Sequence, residues 1–365
     1  MSEPPIPPPL RDALLRTLRN EPAAWPPLTA ADVQTLALHG VAPLVYASAR
    51  CPELRGEAMR AAAIEPLRLI DLRAVLTALA ARGVDTLIVK GSALAYDVYE
   101  APELRPRSDT DLLIAREARA AAREVFLGNG YSERLTSGDE HGVRQVAYSR
   151  VDSFGVEHVY DVHWDIANAA MFADVLRFEE LRARAVPLPA IDPHAFGPSH
   201  ADALLHACVH RVVHHHGDEK VIWLCDLERL RKRMTDEEHE RFWRLAAERR
   251  VLSICRRSIE EAEVWFGAFE RGRAERWLTR DELQQDEFSR AYLDRRLSYG
   301  RETWINLRAL TWRDRAQRVW QLAFPPRAFM RQSFPRALPG TLPWLYVYRG
   351  VRGVARLFRR AGARA

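Results

Sequence analysis

Apolar residues recur at helical spacing from Leu67 to Ala80, and beyond Gly83 the period shortens to that of strands. Residues from Leu10 to about Arg82 read as helices, with Thr29 an N-cap answered by Asp32 three positions on. From Gly83 to Pro193 strands alternate with helices. Asp85 to Val89 is a β-branched strand that stops at a Lys90-Gly91-Ser92 turn, and Ala93 to Tyr99 starts a helix. Asp109 to Ile114 forms a second strand, Ala115 to Asn129 a helix closed by Gly130, and Arg144 to Tyr148 and Val156 to Trp164 two more strands. A turn-rich Pro187 to Pro193 precedes helices from Ser199 to about Asn306. The Pro-rich stretch from Pro325 to Pro343 breaks regularity before a last short basic helix. This pattern predicts an α+β chain in four regions: helical 1–82, a mixed core 83–193, helical 199–324, and a Pro/Arg/aromatic-rich tail 325–365.

Within the core, Asp109 and Asp111 project from one strand face, where a divalent cation can bridge them. The strand, Gly-Ser turn and helix start at Lys90, Gly91 and Ser92 form a phosphate cradle. Beside a carboxylate pair, that cradle suits Mg²⁺ held between protein oxygens and nucleotide phosphates. Two-metal phosphoryl chemistry needs a further acid. In Val156 to Trp164, Glu157, Val159, Asp161 and His163 share one face, and Asp161 is the best candidate. Glu157 is a reserve, and Asp165, past the strand end, reads as a cap or turn residue.

Lys90 stands out because the chain has three lysines, Lys90, Lys220 and Lys232, among 54 basic residues. It is either a compact charge for nucleotide phosphates or a solvated strand end. Arg105 and Arg107, just before the acids, suit holding a phosphate or orienting the carboxylates. His206, His210 and His214 recur every four residues on a helix, but Ala207 and Arg211 stand where a zinc-protease motif would place its Glu. A structural bond from an imidazole to a neighbour such as Asp226 is the simpler expectation, with His163, His210, His214 and Asp226 as candidate supporting or acceptor-facing groups.

At 365 residues and 47% hydrophobic content the chain can bury more than one core. Cys51, Cys208, Cys225 and Cys255 form no C-x-x-C pair and read as buried thiols of a reducing compartment. With no basic leader followed by an apolar run and no transmembrane stretch, a cytoplasmic location is expected. The net charge is +5, and from Arg301 onward only Glu302 and Asp314 oppose the arginines. That tail interleaves arginine with Trp304, Trp312, Trp320, Trp344, Tyr346 and Tyr348. It suits an amphipathic helix packed on the body first, and a peripheral membrane or other anionic contact second.

Three segments carry a family resemblance: Leu87 to Leu94, Leu104 to Ile114 and Tyr160 to Trp164. In order they hold a Lys-Gly turn, an Arg-x-x-x-Asp-x-Asp strand and an acidic-x-His-Trp strand. This resembles a bacterial branch of the DNA polymerase β-like nucleotidyltransferase superfamily, more weakly through helices on both sides to roughly Leu230. Ser92 and Asp109 stand further apart than the superfamily's commonest spacing. The resemblance implies a polymerase β-like core between helical regions, with two Mg²⁺ on Asp109, Asp111 and Asp161. Lys90, Gly91, Ser92, Arg105 and Arg107 would face an NTP, ATP among the candidates, and nucleoside monophosphate would pass to a hydroxyl as pyrophosphate leaves. The acceptor would be a sugar, peptide, antibiotic or protein. A core near charge balance with no nucleic-acid-reading motif argues against a polynucleotide. The alternatives are a non-catalytic nucleotide sensor and a membrane-surface or scaffold protein of a biosynthetic cluster.

Overall fold

The computed structural model describes residues 4–134, 144–167, 169–215, 219–294, 297–325, 327, 330, 334 and 340–358. Four helices lead in: α1 (Pro8–Leu18), α2 (Ala30–Leu38), α3 (Ala42–Ala49) and α4 (Arg55–Ala81). Thr29 caps α2 as its spacing predicts. Its hydroxyl accepts from the Asp32 amide, while the Asp32 carboxylate accepts from the Thr29 amide at 2.9 Å.

β1 (Thr86–Val89) leads directly into α5 (Lys90–Asp97), so the segment predicted as a turn is the first turn of a helix. The chain changes direction at Lys90, whose φ of 55° is left-handed. β1 runs antiparallel to β2 (Thr110–Ile114). A 3₁₀ turn at Arg116–Ala118 precedes α6 (Arg119–Gly128), a split the apolar spacing does not announce, and Gly130 follows with φ of 79°. β3 (Ser132–Arg134), β4 (Gln145–Val151) and β5 (Glu157–His163) complete a mixed sheet of order β1-β2-β5-β4-β3, in which β5 is parallel to β2. α7 (Phe178–Ala183) follows, and β6 (Val186–Pro187) and β7 (Phe196–Gly197) frame the proline turn as a small hairpin too short for periodicity to show.

Residue parity divides the sheet between two cores. Ile88, Leu112, Ile114, Tyr160 and Val162 pack with Leu72, Val75 and Leu76 of α4 and Phe126 of α6. Leu87, Val89 and Leu113 turn the other way, into a cluster that joins the two helical regions. There Leu10, Leu36 and Val45 meet Leu204, Leu224, Trp243 and Trp265 from α8 (His200–His215), α9 (Val221–Arg233), α10 (Asp236–Glu248) and α11 (Leu252–Phe266).

The chain continues through α12 (Arg280–Leu283), α13 (Tyr299–Ala309), α14 (Trp312–Ala323) and α15 (Leu342–Phe358). The last helix has 17 residues and is not the short one expected. Much of the Pro-rich stretch before it lies outside the described residues. Trp304, Trp312, Trp320 and Trp344, expected against the body, are each more than half exposed, because the helices that carry them turn their apolar stripe outward. The four cysteines are buried free thiols, as their spacing predicts.

Candidate active site

Because β2 and β5 are parallel with Asp111 opposite Asp161, the two carboxylates stand side by side on the face turned away from α4 and α6. His163, two residues along β5, shares that face, and its Nε2 lies 2.8 Å from Asp111 Oδ1. Val89 pairs with Asp111 across β1 and β2. The left-handed residue that follows brings Lys90 Nζ to 2.6 Å from Asp111 Oδ1 and 3.4 Å from His163 Nε2. Gln145 Nε2 donates to Asp161 Oδ2 at 3.1 Å. Ligand atoms of Asp111, Asp161 and His163 lie within 4.8 Å of one another, a spacing that a metal ion can bridge. Asp109 sits just before β2, outside that trio. Its backbone carbonyl accepts from Ser92 Oγ at 3.4 Å, and its Oδ1 from Ser108 Oγ at the same distance.

The electrostatics are lopsided. Burial alone would raise Asp111, but the Lys90 ammonium and the bond from His163 outweigh it and hold the carboxyl well below its usual range. At Asp161 Lys90 acts only from a distance, and burial, then the charges of Asp111 and Asp109, push the carboxyl up to about 6. Asp109 is raised by burial and by Asp111. Three acids thus share Lys90, with Arg68 acting on Asp109 as well, and the negative charge concentrated on this face favours a bound cation. Burial and Lys90 depress His163, so its ring is neutral and its Nε2–H donates to Asp111.

The arginines sit differently from expectation. Arg105 closes a buried fork on Asp226, with Nε 2.8 Å from Oδ1 and an Nη atom 2.7 Å from Oδ2, and Tyr99 OH donates to the same carboxylate at 2.7 Å. Arg107 pairs with Glu65 of α4 at 2.7 and 2.9 Å. Both guanidinium groups are thus committed to acids on other helices, not to Asp109 or Asp111. The same fork corrects the expectation of a histidine on Asp226, whose oxygens are taken by Arg105 and Tyr99. Among the described residues, His206 Nε2 and His210 Nδ1 are buried with no hydrogen-bond partner. Gly91 lies directly over the fork, since a Cβ there would stand 3.2 Å from the Arg105 guanidinium carbon.

A cleft of about 480 Å³ opens between this sheet face and α8 and α9, lined by Lys90, Gly91, Asp109, Asp111 and Asp161 on one side and His206, His210, His214 and Trp223 on the other. A family model described as an uncharacterised nucleotidyltransferase matches residues 30–267. The chain belongs to this family. Among curated proteins no match was found.

In this nucleotidyltransferase-family chain the match spans the sheet and the helices that close the cleft. Arg105, Arg107 and Asp226 also line that cleft, while Ser92 and His163 stand behind it, against the Asp109 carbonyl and Asp111. Sequence reasoning overlooked Gln145 and Glu65. Gln145 carried no signal, because its role depends on β4 pairing with β5. Glu65 carried none either, because its burial in α4, which calls for a cation, shows only once the fold is formed. Glu157 is exposed and paired with Arg134, and Asp165 accepts from Arg144 at 2.6 Å and Arg116 at 2.7 Å, so neither faces the cleft acids.

Proposed function

We propose that the chain transfers a nucleoside monophosphate from an NTP to a hydroxyl of a small-molecule, peptide or protein acceptor, on a DNA polymerase β-like core. The carrying observation is the side-by-side placement of Asp111 and Asp161 in a cleft that begins at the N-terminus of α5. Hard carboxylate oxygens with concentrated negative charge suit Mg²⁺. Asp109, Asp111 and Asp161 would hold it, and His163, donating through Nε2, would orient Asp111 rather than serve as a ligand. When bound, the metal would supply positive charge to the triphosphate.

The protein's own groups divide the remaining work. The first amides of α5, at Gly91 and Ser92, have no carbonyl one turn back and point their partial charge toward phosphate. Lys90 holds Asp111 ionised. Asp161, poised near neutrality, accepts the proton of the acceptor hydroxyl as its oxygen bonds to the α-phosphorus and pyrophosphate leaves. The opposite wall offers neutral imidazoles at His206 and His210, which suit a hydroxyl-bearing acceptor better than a second anion.

The test is to incubate the chain with Mg²⁺, each α-labelled NTP and pools of candidate acceptors, following label transfer and pyrophosphate together. Label should move from at least one NTP onto an acceptor, and Asp111→Asn should abolish this. NTP binding without transfer in every pool, unaffected by Asp111→Asn, would instead support a sensor.

A further inference from the structure

Charge is divided sharply along the chain. From Arg301 to Ala365 there are fourteen arginines and two acids, Glu302 and Asp314, a net +12, whereas residues 1–300 hold 40 basic and 47 acidic side chains, a net −7. The basic segment also carries the largest exposed apolar side chains of the described tail. On α15, Trp344, Val347, Tyr348 and Val351 are all exposed, at 75%, 58%, 50% and 65%. Their spacing of three, four and seven puts them in one stripe. On α14, Trp312 and Trp320, eight residues apart, are exposed at 73% and 63%. Tyr346, off the α15 stripe, turns inward and donates to the Pro325 carbonyl at 2.6 Å. Arg352 flanks the stripe, its guanidinium 5.5 Å from the Tyr348 ring.

We propose that α14 and α15 form a docking surface for the headgroup region of an anionic phospholipid bilayer. Tryptophan and tyrosine beside arginine suit that layer, where one end of the side chain is apolar and the other wet. The valines decide between partners. A nucleic acid would stack on the aromatic rings but gives Val347 and Val351 nothing to bury against, whereas acyl chains do. No described helix is long and apolar enough to cross a membrane, so the contact is interfacial. The net −7 of the body sets the orientation, because an anionic surface attracts the tail and repels the rest. The cleft would then work beside a membrane, and the inference stands whether or not the chain transfers nucleotides.

The experiment is flotation of the full chain with phosphatidylcholine vesicles containing about one-third phosphatidylglycerol, against pure phosphatidylcholine vesicles. Protein should rise with the anionic vesicles alone and be released at about 0.5 M salt. Its tryptophan emission should be quenched by brominated lipid. Trp344→Ser with Val351→Ser alters exposed positions only, so folding is preserved, and this pair should cut partitioning at least tenfold at an unchanged melting temperature. Equal flotation with both vesicle types, none with either, or full binding by the double variant would each overturn the proposal. So would self-association in sedimentation that the double variant abolishes while vesicles bind neither form, or tight binding to single-stranded RNA in place of vesicles.

Discussion

Lys90 is held in the left-handed region at φ 55°, which costs an L-residue about 1 kcal/mol, and its ammonium meets Asp111 at 2.6 Å. Lys90→Met and Lys90→Gly should separate the two effects. Both remove the charge and should lower turnover by about 10²–10³-fold, while the glycine variant relieves the backbone and should melt at a higher temperature than the methionine one. Wild-type turnover in Lys90→Gly would show that the lysine only shapes the bend. For Asp161, Asn should leave NTP binding in place, since Asp109 and Asp111 remain, yet cut transfer by about 10²–10⁴-fold for lack of a base. Glu157→Gln, exposed on the same strand, should behave as wild type. An inactive Glu157→Gln beside an active Asp161→Asn would move the base to Glu157. Asp165→Asn is a poorer control than its sequence position suggests, because it unseats Arg116 and Arg144.

His206 gives a pH prediction with a definite sign. Burial, then Lys90, pushes it down to about 3, against an ordinary value of about 6.5 for the unfolded chain. Between those values the unfolded state binds more protons, so unfolding becomes easier as pH falls. The contribution is fully present above about 6.5 and is lost progressively toward 3, about 2 kcal/mol by pH 5. His206→Leu removes this titration. The stability difference between wild type and variant, from denaturant melts at pH 7 and pH 5, should shift by about that amount in favour of the variant at pH 5. A parallel pair of curves would mean that the ring takes up its proton over the same pH range in the folded chain as in the unfolded one.

At the scale of elements, the fork between Arg105 and Asp226 ties the segment before β2 to α9, under the first turn of α5. Breaking one side leaves a buried charge, so Asp226→Asn should cost about 3–5 kcal/mol. Gly91→Ala places a Cβ 3.2 Å from the guanidinium and should cost about 1–3 kcal/mol by overpacking. Since both act through one side chain, Gly91→Ala should cost less in an Arg105→Met background, and strict additivity in that cycle would show that the glycine serves the backbone alone. Parity is local, so a period of two puts Asp161 and His163 on one face of their strand without knowledge of the fold, whereas that Asp111 shares this face depends on β2 pairing with β5. The role of the arginines was not legible, since 121 residues separate Arg105 from Asp226 and 42 separate Arg107 from Glu65. From sequence an arginine beside strand acids suits a phosphate as well as a distant carboxylate. The left-handed φ of Lys90 was hidden for another reason, as Gly91 beside it in the predicted turn is the residue type that usually takes such a conformation.

Across the whole molecule, the helical regions before and after the sheet are one body. Leu10 and Val45 share a core with Leu224 and Trp243, and Leu87, Val89 and Leu113 of the sheet close it. The division at residues 82 and 193, read from periodicity, marks changes of secondary structure, while the apolar surface runs through both. Expressed alone, residues 83–193 would expose that sheet face and lose the α4 residues that cover the other. The fragment should bind a hydrophobic dye and lack a cooperative melt. The tail should behave oppositely. α13 is fastened to the body, Asn306 Nδ2 donating to Tyr292 OH at 2.7 Å and Asn306 Oδ1 accepting from the Met171 amide at 3.4 Å, whereas α14 and α15 show their aromatic residues to solvent. A chain ending at Leu310 should therefore keep its melting temperature within about 3 °C and retain NTP binding, as calorimetric titration would show. A cooperative melt for residues 83–193, or collapse of the chain ending at Leu310, would place the body's boundary elsewhere.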